Sequence, residues 1–202
     1  MPAGIRPLHD DLQSFQSLEP SGYLARYIQS TNWRCNSVRL SFDRQLPRQG
    51  APLGWWRKRG AFEEAIGRSR GGRTTAIHAL TDASGRPRVL RIAPGNMHDV
   101  MMASELLSAA GPIKRLIADK AYDTNQLRNL LAQREIEAVI PSIARRKPLI
   151  PYDREAYRQR NLIERMFARL KDFRRVATRY DKLATNFLAS VLIAATVIWW
   201  LN

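Results

Sequence analysis

Cysteine is nearly absent from this chain: Cys35 is the only one in 202 residues. A single thiol excludes an internal disulfide and a cysteine-based metal site, and it fits a reducing compartment. Acid is also short, with 18 Asp+Glu against 33 Lys+Arg and a net charge of +15. That excess favours an anionic partner, either nucleic acid or an acidic membrane surface. No N-terminal apolar segment resembles a secretion leader. The apolar run at the C-terminus, Phe187 to Leu201, has 15 residues. A spanning helix needs about 20, so this run reads as a buried core helix and no membrane partner is expected. Internal repeats and low-complexity tracts are missing too. The length suffices for one core with a small addition.

A sustained helical or strand period is what residues 1–60 lack. Pro, Gln, Ser and Arg are scattered there, and "GWWRKRG" sets two tryptophans among three bases without an amphipathic pattern. No domain is expected over 1–60, and one is expected over 61–202. Beyond Gly60 the segments read cleanly. "TTAIHALTD" (Thr74 to Asp82) suits a strand, "DASGRP" a turn, and "RVLRIAP" (Arg88 to Pro94) the returning strand of a hairpin. A helix is predicted over Asp99 to Ala110, with Asp99 as N-cap and Gly111-Pro112 as the stop. A short buried strand should end at Asp119. The helix "TNQLRNLLAQRE" and the strand "IEAVIPS" follow. One long helix is predicted from about Arg154 to Arg175, then the apolar helix. The order is β-β-α-β-α-β-α-α.

Three places could carry chemistry. Asp119 in "LIADKAYD" stands at the C-terminal end of a buried strand, where α/β sheets bind ligands; a strand-end cap is the competing reading. Asp123 reads as the cap of the next helix. The second place is "AYRQRNLIERMFARLK", where Glu164 is the single acid among four arginines and a lysine. A solvated helix with a stray charge is the plain reading. However, Tyr157, Arg160, Glu164 and Lys171 fall within an arc of roughly 60° on a helix. Leu162, Ile163, Met166, Leu170 and Phe173 form a separate core arc. A carboxylate that holds a divalent metal beside DNA needs cations nearby to grip phosphates. The surrounding stretch, Pro141 to Lys182, holds 13 Lys+Arg and 5 Asp+Glu. The third place is "AIGRSRGGRTT", whose Arg68, Arg70 and Arg73 suit either a phosphate backbone or a solvated loop. "PGNMHD" reads as a turn into a helix, with His98 at the surface or at the cap.

Together these pieces resemble the DDE transposases of bacterial insertion sequences, specifically the "insertion sequence five" group. The resemblance runs from about Gly60 to Asn202, roughly 70% of the chain. Tyr157, Arg160, Glu164 and Lys171 match the signature around that family's last acid at every spacing. "LIADKAYD" looks like the segment of its second acid, and "IHALTD", "PGN.HD" and "RYDKLATNF" are also similar to the group. Ala76 departs from it, since the family usually has lysine there to contact DNA. The resemblance implies an α/β, ribonuclease-H-like (retroviral-integrase-like) core. Three carboxylates would hold two Mg²⁺ ions on DNA, for strand cleavage at insertion-sequence ends and strand transfer to target DNA. Asp119 and Glu164 would be the second and third. Tyr157, Arg160 and Lys171, with Arg68, Arg70 and Arg73, would contact DNA. A homo-oligomer, or association with an intact transposase, and a cytoplasmic location at the bacterial nucleoid are further expectations.

The first acid of that family belongs in an Asp-Ser-Thr-like motif on the first core strand, at a position matching Arg44. No such motif is there. Asp43 is adjacent, but Arg39 suits a buried central strand poorly. Codons read one base later turn "LHDDLQSFQSLEPSGYL" into a string similar to the family's N-terminal region, and Arg44-Gln45 then covers Asp-Ser. Residues 1 to about 60 are therefore expected to be an out-of-frame translation, leaving the first strand in doubt and its neighbours' edges unpaired. By descent the chain is expected to be a transposase catalytic domain, and by chemistry an inactive remnant. The alternatives are a non-catalytic DNA-binding fragment that interferes with an intact transposase, and a chain without function.

Overall fold

The computed structural model describes residues 37–47, 64–69 and 72–201. Their elements run β1 (Ser37–Pro47), β2 (Gly67–Ser69), β3 (Gly72–Thr81), β4 (Pro87–Pro94), α1 (Asp99–Ala110), β5 (Arg115–Ala118), α2 (Asn125–Gln133), β6 (Glu137–Val139), α3 (Arg154–Arg158), α4 (Asn161–Lys171), α5 (Arg174–Ala177), β7 (Thr178–Arg179) and α6 (Ala184–Trp200). A 3-10 turn, Lys120–Tyr122, follows β5.

One sheet holds all seven strands. Its order is β4-β3-β1-β5-β6, with β2 added to β3 and β7 to β1. β3 runs antiparallel to both β1 and β4, while β5 is parallel to both β1 and β6. This mixed sheet is the ribonuclease-H-like arrangement that the resemblance implied. Ser37–Pro47 fills the central place that the sequence left in doubt. Arg39, read as ill suited to that place, stands opposite Thr81 on one side and Ile117 on the other.

Both faces of the sheet are covered. The alternation of a strand sends Ile77 and Ala79 to one face and Leu80 to the other. Ile77, Ala79 and Leu90 pack with Ile163, Met166 and Leu170 of α4 and with Phe187, Val191 and Leu192 of α6. Leu80 and Val89 pack with Ala103, Leu106 and Leu107 of α1 and Leu127 and Leu131 of α2. Truncating a fully buried side chain such as Leu106 or Met166 to alanine would cost about 2–5 kcal/mol. The β3–β4 turn is closed by Asp82, whose Oδ1 accepts from the N–H groups of Ser84 (2.8 Å) and Arg86 (2.9 Å). Gly85 takes φ +80° there, a conformation that L side chains resist.

Four expectations change. The helix predicted from Arg154 to Arg175 is three helices. At its first break Gln159 N–H bonds to Ala156 and Arg160 N–H to Tyr157, three residues back, so the chain tightens into a 3-10 turn. Thr124, not Asp123, caps α2, accepting from Leu127 N–H at 3.2 Å. Asp99 is the first residue of α1, and His98 holds the cap position without a side-chain bond. Phe173 lies beyond α4, 38% exposed, and Phe167 takes its place in the core. The C-terminal run is the buried helix expected, and no helix of the described residues is long and apolar enough to cross a membrane.

Candidate active site and nucleic-acid interface

The half-buried Asp119 ends β5. One carboxylate oxygen accepts from Ala121 N–H at 2.6 Å, which starts the 3-10 turn. The cap reading of Asp119 is thus true of the geometry, and among the described residues the second oxygen takes no hydrogen bond. Glu164 lies in the first turn of α4, where an acid is favoured by the helix dipole. Its side chain is 57% exposed and takes the Arg160 guanidinium at 2.5 Å.

Tyr157 connects the two acids. α3 is capped by Asp153, whose Oδ1 accepts from Glu155 and Ala156 N–H at 2.9 Å each. The helix then packs Ala156 and Tyr157 against Ile117 of β5 and Val139 of β6, with Tyr152 beside them. The Tyr152 and Tyr157 rings meet edge to face at 5.5 Å. The Arg160 guanidinium lies 5.9 Å from the centre of the Tyr157 ring. Burial raises the Tyr157 phenol above its ordinary pKa of 10.0, Arg160 opposes this, and Asp119, Tyr152 and Glu164 add to it. Both carboxylates therefore act electrostatically on one phenol. Tyr157, Arg160 and Glu164 stand side by side and the charge of Asp119 reaches the same phenol, although the helix expected to carry three of these residues is broken at Arg160. Lys171 is exposed at the far end of α4.

The β2–β3 hairpin sets Arg68, exposed, directly across from the half-buried Arg73. Arg70 lies outside the described residues. Glycines bring this hairpin against the turn after β4. A Cβ on Gly67 would stand 2.0 Å from Asn96 Oδ1, and one on Gly95 would stand 1.9 Å from Thr74 Oγ1. Those approaches account for the glycines of "AIGRS" and "PGN". Ala76 is 1% exposed, so its position looks into the core and not toward a ligand.

Two charged centres were missed. Asp123 is buried and takes both Arg128 and Arg146. Burial pushes its carboxyl up, but the Arg146, Ile143 and Arg128 N–H groups outweigh burial and hold it below 3.8. Arg179, which closes β7, is fully buried. Local spacing carried little signal for either, because Arg146 is 23 residues from Asp123, and Thr75, Ala65 and Glu64 are 104, 114 and 115 residues from Arg179.

Carboxylate oxygens are the donors a hard divalent cation takes, and among the described residues Asp119 and Glu164 each have one carboxylate oxygen without a hydrogen bond. In chemistry these two fit such an ion. Among the described residues no group of three or more acids, histidines or cysteines is assembled.

A family model described as "Transposase DDE domain" matches residues 28–199. A Brucella ovis protein, provisionally named as a transposase for insertion sequence element IS6501, is 37% identical over 127 residues, 62% of this chain and 98% of its own. A Burkholderia cepacia protein similarly named for element IS402 is 31% identical over 134 residues, 61% of each chain. Among solved structures, the catalytic core domain of BIV integrase is similar at 14% identity and TM-score 0.45, over 79% of this chain and 82% of its own.

Proposed function

The chain belongs to the transposase DDE domain family, and on that premise we propose that Asp119 and Glu164 are its second and third metal-holding carboxylates. The family's work is DNA transposition, and the "insertion sequence five" group is the branch whose signature Tyr157, Arg160, Glu164 and Lys171 fit. The observation that carries the proposal is the placement of Tyr157, which packs on Ile117, two residues before Asp119, and lies beside Arg160, the partner of Glu164, next to a stretch with 13 Lys+Arg.

A bound Mg²⁺ would activate water, and later a freed 3′ hydroxyl, for attack on a phosphodiester. The chain's own residues do the rest. Asp119 is held still by the Ala121 N–H, so one oxygen is fixed. Arg160 holds Glu164 by one guanidinium N–H, and its remaining N–H groups would be available to phosphate. The Tyr157 phenol, kept protonated by burial and by both acids, donates to a DNA oxygen. Lys171, Arg68, Arg70 and Arg73 supply further positive charge along the duplex. DNA ends and target DNA are the partners, at the bacterial nucleoid, with a second copy or an intact transposase completing the assembly.

The chain as it stands is an inactive remnant in this reading. Residues 1–60 are an out-of-frame translation, and the first acid of the family is not at its expected position, Arg44. The absence of that acid also favours a second role, as a DNA-binding fragment that competes with an intact transposase. A nicking assay on insertion-end DNA with Mg²⁺ separates the two. Cleavage by the frame-restored chain alone supports the remnant. Cleavage by neither chain, with binding by both, supports the binder.

A further inference from the structure

Asp123 has no part in the chemistry above, yet it is the most heavily bonded carboxylate among the described residues. Its side chain is 0% exposed, and those of Arg128 and Arg146 are 12% and 17% exposed. Arg128 Nε donates to Oδ1 at 2.6 Å. Arg146 Nε and Ile143 N–H donate to Oδ2 at 2.8 and 2.9 Å. The arginines reach further. Arg128 Nη2 donates to the Ile140 carbonyl at 2.9 Å, and Arg146 Nη1 to Asn125 Oδ1 at 2.7 Å.

Helix capping does not explain this, because Thr124 caps α2. Every side-chain hydrogen bond that ties residues 140–150 to the rest of the described chain ends on Asp123, Asn125 or Arg128. That loop leaves β6 and delivers Tyr152, Asp153 and α3. Asp123 itself ends the 3-10 turn that Asp119 begins. One side of the cluster therefore stands four residues from Asp119, and the other leads through Tyr157 to Glu164.

We propose that Asp123, Arg128 and Arg146 form a positioning cluster that sets the separation of Asp119 from Glu164. The inference rests on the reading of those two acids as the metal-holding pair. A carboxylate clamped by two planar guanidiniums fixes both distance and direction, as a single point charge does not. The cluster touches neither DNA nor metal; it acts through the 3-10 turn and the loop.

The test uses the full chain with Cys35→Ser and nitroxide labels at Ala121→Cys and Ala168→Cys, both exposed positions. Pulsed electron spin resonance reads the distance between the segments that carry the two acids. Mn²⁺ titration of the unlabelled, frame-restored chain reads the site itself. The expected result for Arg146→Ala is a broadened label distance and Mn²⁺ binding weakened about ten-fold, the usual scale for losing an outer partner of a metal ligand. Arg146→Lys, which keeps the charge but not the fork, should restore little of either. An unchanged distance in Arg146→Ala overturns the proposal. If Arg146→Ala unfolds by circular dichroism, Asn125→Ala removes only the outer brace, and an unchanged distance there overturns it equally. Should the frame-restored chain, with all three acids, bind no Mn²⁺ while the distance still responds, the positioning role stands and the metal reading of Asp119 and Glu164 fails.

Discussion

Arg160 donates to Glu164 across one helical turn, at 2.5 Å, so the acid with the strongest sequence signature already has a cationic partner. The pair is exposed, and an exposed pair contributes little to stability. In the proposed reading its use is chemical. Glu164→Gln in the frame-restored chain should abolish Mg²⁺-dependent strand cleavage, because an amide is a poor ligand for a hard cation. DNA binding should stay nearly intact, since the change frees Arg160. Gel-shift and nicking assays on the same preparation check both. Cleavage retained by Glu164→Gln would remove it from the metal-holding pair.

Binding to DNA should be electrostatic and blind to sequence. About 4 to 6 phosphate contacts from the stretch Pro141 to Lys182 would give a slope of log K against log salt near −4 to −5. Lys171→Ala should weaken binding uniformly across sequences and reduce the slope by about one. Fluorescence anisotropy over a range of salt concentrations measures it, and a slope near zero would remove the DNA-facing role from α4.

His78 should make stability depend on pH. It lies fully buried on β3, and burial pulls its pKa from 6.5 down to about 4. The folded state thus binds fewer protons than the unfolded one between those values. Stability is full above pH 6.5 and is lost as pH falls toward 4, at about 1.4 kcal/mol per unit. Asp123, held below 3.8, adds loss in the same direction only at lower pH. Urea unfolding from pH 7 to 5 isolates the histidine. His78→Leu should flatten the profile in that window, and a profile unchanged by it would assign the dependence elsewhere.

Arg179 should be among the costliest residues to change. Its Nε donates to the Asp181 carbonyl, Nη1 to Thr75 Oγ1 and the Ala65 carbonyl, and Nη2 to the Glu64 and Lys182 carbonyls. All five donors are used, and the guanidinium lies 5.1 Å from the Phe187 ring centre. Burial pulls its pKa down to about 10, so it stays charged at neutral pH. Arg179→Ala would take the guanidinium donors from the buried Glu64 carbonyl and Thr75 Oγ1 and from the partly buried Asp181 and Lys182 carbonyls, and leave a cavity over Phe187, at a cost of about 3 kcal/mol or more. Arg179→Lys should recover less than half, because one ammonium cannot reach oxygens spread around a planar fork. Chemical denaturation measures both.

Local pattern made the sheet legible. β-branched and apolar runs bounded by Gly, Pro and Asp gave β3, β4 and β5, and the spacing of Tyr157, Arg160, Glu164 and Lys171 gave the polar stripe. What stayed hidden depends on contacts remote in sequence. β7 has two residues, too few for any period, and exists because Leu46 and Pro47 pair with it. The break at Arg160 leaves no mark in composition; it lets Tyr157 rest on Ile117 while α4 turns its apolar face to the sheet. Asp123 looked like a cap because caps are read locally, and its partner Arg146 is 23 residues away.

β1 is where the missing acid would stand. In the register of β1 on β3, position 43 stands opposite Ile77 and position 44 opposite Ala76. Ile77 packs under α4, the helix that carries Glu164. Arg39, four residues earlier on β1, pairs with Ile117, two residues before Asp119. Register therefore makes Asp43 the residue to remove in a control. We expect the upstream DNA, read one base later, to encode Asp-Ser over Arg44-Gln45, without a stop between positions 5 and 60. We expect the unrepaired chain to leave insertion-end DNA uncut in Mg²⁺, and the frame-restored chain to nick it. Cleavage by the unrepaired chain that vanishes on Asp43→Asn would show that Asp43 serves as the first acid, and the remnant reading would then be wrong.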